Sequence, residues 1–424
     1  MSTLVMTVGT GRNRQDIADA LLFSIRQHRP EKTVFLCSRI TADQTLPLLI
    51  EPMKRDAIPF EVFISDMEND VQALYNEYLR TLRQYSGIIA DFTSGTKAMS
   101  AALFAAAIAV QADQVSYILG PRDQTGRVAK STEISAFCPD LVLAERQLDR
   151  AKMLFNELDF NAAAALAGRY YKTLPKDSPL RARAKTIVLI SQAYDLWERF
   201  SWKESSHLLS KAANPREGLA DVDLSRLEAN AQFTQTLANS PYGHERLFEL
   251  YANAGRRLAQ GRYDDALSRL YRAYEYLVQN RLKNGFDVDT SKLIAEQIAN
   301  LPLSCKTRCR LRKKAKESRN LLKLGLAEAI GLLAELRDQV GVALFEMYWG
   351  RPFRRGLSPN PKEHHGPLQN WLNQRNRSFL AHGTDPAKEE TVRSMLKMYE
   401  ELLRKSMAPE TFDRLSQDSV FITM

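Results

Sequence analysis

Near its C-terminal end the chain combines arginine and histidine side chains at a spacing that could handle a phosphate group. Residues 371–383 read WLNQRNRSFLAHG and include Arg375, Asn376, Arg377 and His382. A histidine titrates near neutral pH and can move a proton, while an arginine can clamp a phosphate and stabilise its developing charge. These groups suit metal-free cleavage of RNA, in which a ribose 2′-hydroxyl attacks the adjacent phosphorus and leaves a 2′,3′-cyclic phosphate and a 5′-hydroxyl.

The same segment carries signals for the end of a helix. Gly383 and the Asp-Pro pair at 385–386 predict that His382 lies at a helix C-terminus. Arg375 precedes His382 by seven residues, which on one helix places both side chains on one face about 10 Å apart along the axis. Arg377 would point elsewhere, so this geometry favours Arg375 as the primary arginine. An ordinary surface histidine beside a helix arginine produces the same spacing and is the more common case.

Two loops near the N-terminus have the composition of phosphate-binding turns. Residues 8–13 read VGTGRN and residues 91–97 read DFTSGTK, each directly after a predicted strand and before a predicted helix. Glycines permit close backbone approach, hydroxyl groups donate to phosphate or ribose oxygens, and Lys97 adds positive charge. Neither loop completes the dinucleotide or P-loop signature. Together they favour a nucleotide or phosphate ligand over the alternative of two tight structural turns.

The elements that must position these loops alternate between strand and helix over residues 1–140. This alternation predicts right-handed βαβ units in a parallel, doubly wound sheet with helices on both faces, a Rossmann-like α/β fold. Residues 120–127, GPRDQTGR, predict an antiparallel hairpin that closes the sheet. The predicted strands cover 4–8, 33–37, 60–64, 87–91 and 114–118, and the predicted helices cover 15–28, 46–56, 70–85 and 97–110.

From residue 141 onwards the patterns predict an all-helical chain. A first set of paired helices is predicted over residues 143–235, with Tyr194, Trp197 and either Phe200 or Ser201 on one face, interpreted as core. A second helical unit is predicted to begin near His244. Its final helix is predicted to begin at Asp385-Pro386 and to carry an apolar stripe of Val392, Leu396, Tyr399 and Leu402.

The composition of the chain indicates only the sign of the charge that its ligand is expected to carry. The formal charge of +9 favours polyanions, because lysine and arginine neutralise phosphates. The four cysteines are scattered without the paired spacing of a zinc site, and the adjacent histidines at 364–365 are interpreted as surface groups, so no metal is expected. No signal peptide and no membrane span are predicted. These features favour a cytoplasmic, reduced protein.

The two ends of the chain together resemble the CARF–HEPN effector ribonucleases of type III CRISPR systems (the Csm/Csx group). VGTGRN and DFTSGTKAMSAAL look like the two ligand-facing loops of a CARF domain. Residues 261–282, GRYDDALSRLYRAYEYLVQNRL, are similar to an early HEPN helix, and RNRSFLAHG fits the HEPN pattern of arginine, four to six residues, then histidine. The phrase AYDLWERFSWKES resembles the linker of this group.

The resemblance implies three domains: a CARF domain at 1–140, a helical linker at 141–240 and an all-α HEPN domain at 241–424. It implies a homodimer in which a cyclic oligoadenylate, of four or six adenylates, is the allosteric activator of a metal-independent endoribonuclease that cuts single-stranded RNA. The resemblance implies no cofactor and no membrane, and no stable association with the CRISPR complex is expected. Two alternatives stay open: a sensor or adaptor with an inactive HEPN scaffold, and slow breakdown of the activator within the CARF domain, oriented by Thr10, Thr93 or Ser94.

The resemblance also assigns the candidate site residues. Arg375, Asn376 and His382 match the catalytic HEPN motif in its six-residue form, whereas Arg377 satisfies the four-residue form and is a candidate for contact with substrate phosphate. Ser38 and Thr41 are weaker candidates for contact with adenine or ribose. The ligand-binding candidates in the two CARF loops are Gly9, Thr10, Gly11, Asn13, Thr93, Ser94, Gly95, Thr96 and Lys97.

Overall fold

The structure is a computed structural model of the 424-residue chain. It describes residues 2–11, 13–120, 133–213, 222–356, 365–378 and 383–424. The contacts between residues divide the chain into two compact units, Met1–Val188 and Leu189–Met424. The division falls within one long helix, and the three-domain boundaries at residues 140 and 240 stay a prediction.

The first unit contains a six-stranded sheet with the order β3-β2-β1-β4-β5-β6. Neighbouring strands from β3 to β5 are parallel, and β6 runs antiparallel to β5. This confirms the doubly wound sheet and the antiparallel closing pair, while residues 121–132 between β5 and β6 lie outside the described residues. The strands are β1 (Thr3–Thr7), β2 (Lys32–Ser38), β3 (Phe60–Ser65), β4 (Ile88–Asp91), β5 (Gln114–Leu119) and β6 (Glu133–Phe137).

Helices cover both faces of the sheet and bury its central strands. All five residues of β1 are buried, as expected for a strand with neighbours on both sides and helices on both faces. One apolar core packs α1 and α3 on the sheet, and the other packs α4 and α5 on the opposite face. The helices of this unit are α1 (Arg14–His28), α2 (Arg39–Gln44), α3 (Leu46–Arg55), α4 (Val71–Leu82), α5 (Lys97–Ala109), α6 (Asp140–Asn156) and α7 (Phe160–Thr173), followed by α8 (Pro179–Glu198), which continues into the second unit.

All the regular elements among the described residues of the second unit are helices, which confirms the all-α prediction. Tyr194 and Trp197 are fully buried, as predicted, but Phe200 is 39% exposed because the helix ends at Glu198 and Phe200 adopts a positive φ. The helices are α9 (Trp202–Ala212), α10 (Leu224–Asn239), α11 (His244–Ala259), α12 (Tyr263–Phe286), α13 (Ala295–Asn300), α14 (Cys305–Glu317), α15 (Leu326–Glu335), α16 (Gln339–Trp349), α17 (Pro367–Arg377), α18 (Glu389–Ser406) and α19 (Pro409–Asp418).

The C-terminal part of this unit departs from the prediction in two ways. The long amphipathic helix begins at Glu389 rather than at the Asp-Pro pair at 385–386, and it is not the final helix, because Pro409 starts α19. After α19 the chain returns to the beginning of the unit. The Asn230 amide donates to the carbonyl oxygens of Asp418 and Val420 at 2.8 and 3.0 Å, which ties the last residues to α10.

No helix among the described residues is both long enough and apolar enough to cross a membrane.

Candidate functional site

The two N-terminal loops meet at the carboxyl ends of β1 and β4, which pair in parallel. The Gly9 N–H donates to the Ser94 hydroxyl at 3.0 Å, and the Thr7 hydroxyl donates to the Ser94 carbonyl. Gly9 is required at this crossing, because a Cβ atom there would lie 2.7 Å from the backbone nitrogen of Gly95. The order of the sheet reverses direction between β1 and β4, and such switch points are where open α/β sheets bind ligands.

Hydroxyl groups of the second loop hold the loop itself in shape. The Thr93 hydroxyl donates to the Asp91 carboxylate at 2.5 Å and accepts the Ile118 N–H at 2.9 Å. Asp91 is fully buried and also accepts the Ser24 hydroxyl at 2.5 Å. The Ser94 hydroxyl oxygen accepts the hydrogen bond from the Gly9 N–H described above. Asp91, which was not among the candidate site residues, is therefore the group that organises this loop.

Three further candidate hydroxyls cap helices. The Thr96 oxygen accepts the Met99 N–H at 3.1 Å and its hydroxyl donates to the Glu68 carbonyl at 2.8 Å. Ser38 and Thr41 form a capping box at the start of α2, and both side chains are buried. A hydroxyl engaged in this way has little capacity left for a ligand. Ligand contact by these three residues stays a prediction with little support from the geometry.

The groups that remain available at this edge are backbone amides and a lysine. Thr10 is half-buried, whereas Gly11, Asn13 and Lys97 are exposed, and the Asn13 side chain caps α1. Within the described part of the chain, the first two amides of α5, those of Lys97 and Ala98, have no hydrogen-bond partner. Free amides at a helix N-terminus next to a positive charge suit an anion such as a phosphate. Of the three hydroxyls considered for activator breakdown, only the Thr10 hydroxyl has no partner among the described residues.

Replacing Gly9 with alanine is expected to separate the two loops, because the added Cβ would meet Gly95 N at 2.7 Å and the Ser94 oxygen at 2.9 Å. Overpacking of this kind lowers the free energy of unfolding by about 1–3 kcal/mol. Thermal denaturation measures the effect. Gly168→Ala in α7 is the matched control, since its nearest atom is 3.8 Å away and alanine is expected to stabilise that helix by about 0.5–1 kcal/mol. Equal unfolding temperatures for Gly9→Ala and the parent would contradict the close contact.

The second candidate site lies at the C-terminal end of α17. Arg375 is half-buried there, with its guanidinium 4.6 Å from the ring centre of Tyr271 on α12. The Arg375 guanidinium also donates to the Asn376 side-chain oxygen at 3.3 Å, and its Nε is buried without a hydrogen-bond partner among the described residues. Asn376 and Arg377 are exposed. The arginine is thus oriented by a ring and an amide, and the residue as a whole is only partly buried.

The expectation that Arg375 and His382 share one regular helix is wrong. Helix α17 ends at Arg377, and Ser378 has the extended conformation, with φ −77° and ψ 159°. Gly383 and Asp385 lie next to the C-terminal end of α17. The Gly383 N–H donates to the Ser378 carbonyl oxygen at 3.2 Å, and the Asp385 N–H donates to the Arg377 carbonyl oxygen at 3.0 Å. The argument from helix faces therefore no longer distinguishes Arg375 from Arg377. His382 lies outside the described residues.

Tyr271 is a site residue that the motif did not indicate. Burial raises the pKa of its hydroxyl, as does the neighbouring Glu275 carboxylate, so the ring stays neutral at physiological pH. A neutral aromatic face attracts and orients a guanidinium. Tyr271 belongs to the segment 261–282 that resembles a HEPN helix, but it directly follows the buried Leu270. A pattern of apolar residues alone does not single it out.

Of the adjacent histidines at 364–365, His365 is exposed and His364 lies outside the described residues. Among the residues that the structure describes, no group of three or more histidine, cysteine, aspartate or glutamate side chains could hold a metal ion.

The fold and the two candidate sites define a class of two-part protein, with an α/β unit whose two loops meet at a switch point of the sheet and a helical unit whose sequence carries an arginine–histidine motif. Residues 238–349 match the family model of the Csm6 HEPN domain. The chain is 26% identical to the CRISPR system endoribonuclease Csm6 of Thermus thermophilus, over 93% of this chain and 82% of the relative. These matches confirm the resemblance to the CARF–HEPN group, and the match to the HEPN family model lies within the second unit.

A solved structure shares this fold over nearly the whole chain. Enterococcus italicus Csm6 bound to cyclic hexa-2′-fluoro-hexa-dAMP superposes with a TM-score of 0.56 at 15% identity, covering 99% of this chain and 98% of that one. The order of an α/β part followed by helical parts is thereby confirmed.

Proposed function

We propose that this chain is a HEPN-type endoribonuclease that cuts single-stranded RNA when a cyclic oligoadenylate occupies the site between β1 and β4. The observation that carries the proposal is the oriented guanidinium of Arg375, next to Asn376, in a unit whose residues 238–349 match a HEPN domain. A relative named as a CRISPR endoribonuclease aligns over most of the chain. The structural neighbour with a bound cyclic nucleotide supports the class of activator.

In the proposed reaction the 2′-hydroxyl of a ribose attacks the adjacent phosphorus. As the new bond to phosphorus forms, the bond between phosphorus and the 5′-oxygen breaks, and His382 transfers the proton lost by the 2′-hydroxyl to that leaving oxygen. Arg375 binds the non-bridging oxygens, whose negative charge grows in the transition state. Asn376 orients Arg375 by accepting one of its N–H groups. Because a fixed guanidinium carries out the charge stabilisation, the step requires no metal. The products are a 2′,3′-cyclic phosphate and a free 5′-hydroxyl.

The active form is proposed to be a homodimer. A ring of identical nucleotides matches a two-fold axis, since both protomers then offer the same loops to equivalent phosphates. In each protomer the exposed Lys97 and the free amides at the start of α5 supply the positive groups. Two HEPN motifs facing one another would form one composite cleavage site.

The proposal is tested by cleavage of a fluorescent single-stranded RNA in EDTA, with no ring, with cyclic tetra-adenylate or with cyclic hexa-adenylate. Cutting that requires one of the rings and resists EDTA is the expected result. Mapping the ends of the fragments tests for cyclic phosphates. A parent protein that binds a ring but cuts no RNA would support the inactive-scaffold alternative instead, and cutting that EDTA abolishes would contradict the metal-free step.

A further inference from the structure

One short segment of the helical unit accounts for most of the net positive charge of the chain. Residues 305–323 contain nine lysine and arginine residues and a single acidic residue, Glu317, which amounts to a net charge of +8. The whole chain has a net charge of +9. Most of the net positive charge of the chain therefore lies in this segment, which favours the binding of a polyanion there.

Helix α14 presents these charges on one outer face. It buries Thr307, Leu311 and Ala315, which recur at every fourth position, and this stripe attaches the helix to the unit. Arg308 is used internally and donates to the carbonyl oxygens at 301 and 303, at 3.1 and 3.3 Å. The remaining basic side chains of the helix, apart from Lys314, are exposed and have no carboxylate partner among the described residues: Lys306, Arg310, Arg312, Lys313 and Lys316.

A cavity of about 250 Å³ lies beside this basic face. Its lining combines Arg310 and Lys314 of α14 with Tyr348 and Trp349 of α16 and with Phe353. The volume is below the roughly 300–1,000 Å³ of pockets that enclose whole small-molecule ligands. It suits one flat ring of a longer molecule. Aromatic faces next to a basic groove are the means by which proteins bind the bases and phosphates of single strands.

The acidic residues of the lining do not oppose an anionic ligand. Glu328 forms an ion pair with Lys314. Glu335 is buried and accepts the backbone N–H groups of Gly356 and Ser304. Both carboxylates are thus neutralised or bonded within the unit, and Arg310 is left to face a ligand.

The cavity is connected to the Arg375 site through α16 and α17, which pack together. The Tyr348 carbonyl accepts the N–H of Gly366, the residue that precedes α17, at 2.9 Å. From there α17 rises about 14 Å to Arg375 at 1.5 Å per residue. A single extended RNA strand is therefore long enough to reach both the cavity and the Arg375 site.

We propose that the exposed face of α14 and the adjoining aromatic cavity bind single-stranded RNA away from the cut, with one base in the cavity and the neighbouring phosphates on the lysine and arginine side chains. This inference rests on the proposed function, which supplies RNA as the polyanion. A membrane surface fits less well, because helices that lie on membranes expose an apolar face, and the apolar face of α14 is buried.

The test measures RNA binding in the full-length chain carrying His382→Ala, so that cleavage does not consume the probe. Lys306, Lys313 and Lys316 are replaced together by glutamine. Binding is followed by the fluorescence anisotropy of a labelled single-stranded RNA at salt concentrations from about 0.05 to about 0.3 M, a range that spans the physiological value. Loss of three phosphate contacts is expected to weaken binding on the order of 10- to 100-fold at about 0.1 M salt and to reduce the salt slope by about 2.

The matched control replaces Lys172, Lys397 and Lys405, which are equally exposed, by glutamine. It removes the same charge and is expected to change the dissociation constant less than about threefold, since long-range attraction alone is screened by salt.

Phe353→Leu keeps an apolar side chain but removes an aromatic face, and it is expected to weaken binding by roughly 5- to 100-fold, as loss of one stacked base does.

Equal losses in the two triple variants would overturn the proposal, and so would tighter binding to anionic vesicles than to RNA. Binding to the His382→Ala chain does not depend on catalysis. If the parent failed to cut RNA while α14 still bound it, the proposed function would be wrong and the binding surface would stand.

Discussion

Replacing His382 with alanine is expected to slow RNA cleavage by about 10²- to 10⁴-fold, because the variant loses the group proposed to move the proton. Binding of the cyclic activator should be unchanged, since the activator site is proposed at β1 and β4 in the other unit. The measurement is the single-turnover rate of cleavage at saturating activator, together with a direct titration of activator binding.

His365→Ala is the matched control for this prediction. His365 is exposed in the structure and belongs to no proposed site, so its replacement should leave the rate within about twofold of the parent, as is usual for exposed surface positions. Undiminished cleavage by His382→Ala would remove the histidine from the reaction. Loss of both cleavage and activator binding would indicate damage to the fold rather than to the chemistry.

Replacing Arg375 with alanine is expected to lower the cleavage rate by about 10²- to 10³-fold, the usual cost of removing one group that stabilises transition-state charge. The structure supports this role, because the guanidinium is stacked on Tyr271 at 4.6 Å and bonded to Asn376 at 3.3 Å. Lysine at this position should restore only part of the rate, since it lacks the planar fork. Rates are measured at saturating activator and RNA.

Arg377→Ala decides between the two arginines of the motif. Arg377 also lies in the last turn of α17, but it is exposed and has no aromatic or carboxylate partner among the described residues. Its replacement is expected to weaken RNA binding and to leave the rate at saturating RNA close to that of the parent. A larger loss of rate for Arg377→Ala than for Arg375→Ala would assign the primary role to Arg377. Thermal denaturation of each variant excludes unfolding as the cause.

The pattern of residues along the chain was sufficient to predict the sheet and the position of the two candidate ligand-binding loops. Strands such as 33–37 and 114–118 were located to within one residue at each end, because short β-branched runs between helical patterns are a local signal. The loops after β1 and β4 were placed correctly, since parallel strands bring their carboxyl ends to one edge. Helix α2 was not predicted, as its six residues are too few for a periodic pattern.

The roles of individual side chains depended on partners that are distant in the sequence. Thr93 was predicted to bind a ligand, yet its hydroxyl is held by Asp91 and Ile118. Residue type shows that a hydroxyl is present, but only the packed fold shows what it is bonded to. The same holds for Tyr271, which meets Arg375 from a helix more than a hundred residues earlier.

The sequence by itself thus determined the class of fold and the order of its parts, and it marked the segments proposed to carry the chemistry, because periodicity and short motifs are local properties. Only the tertiary structure decided where α17 ends, which hydroxyls are already bonded and that Arg310 and Tyr348 line one cavity. The physical reason is that hydrogen bonding, burial and cavity shape arise from contacts between distant segments, and these contacts override local preference.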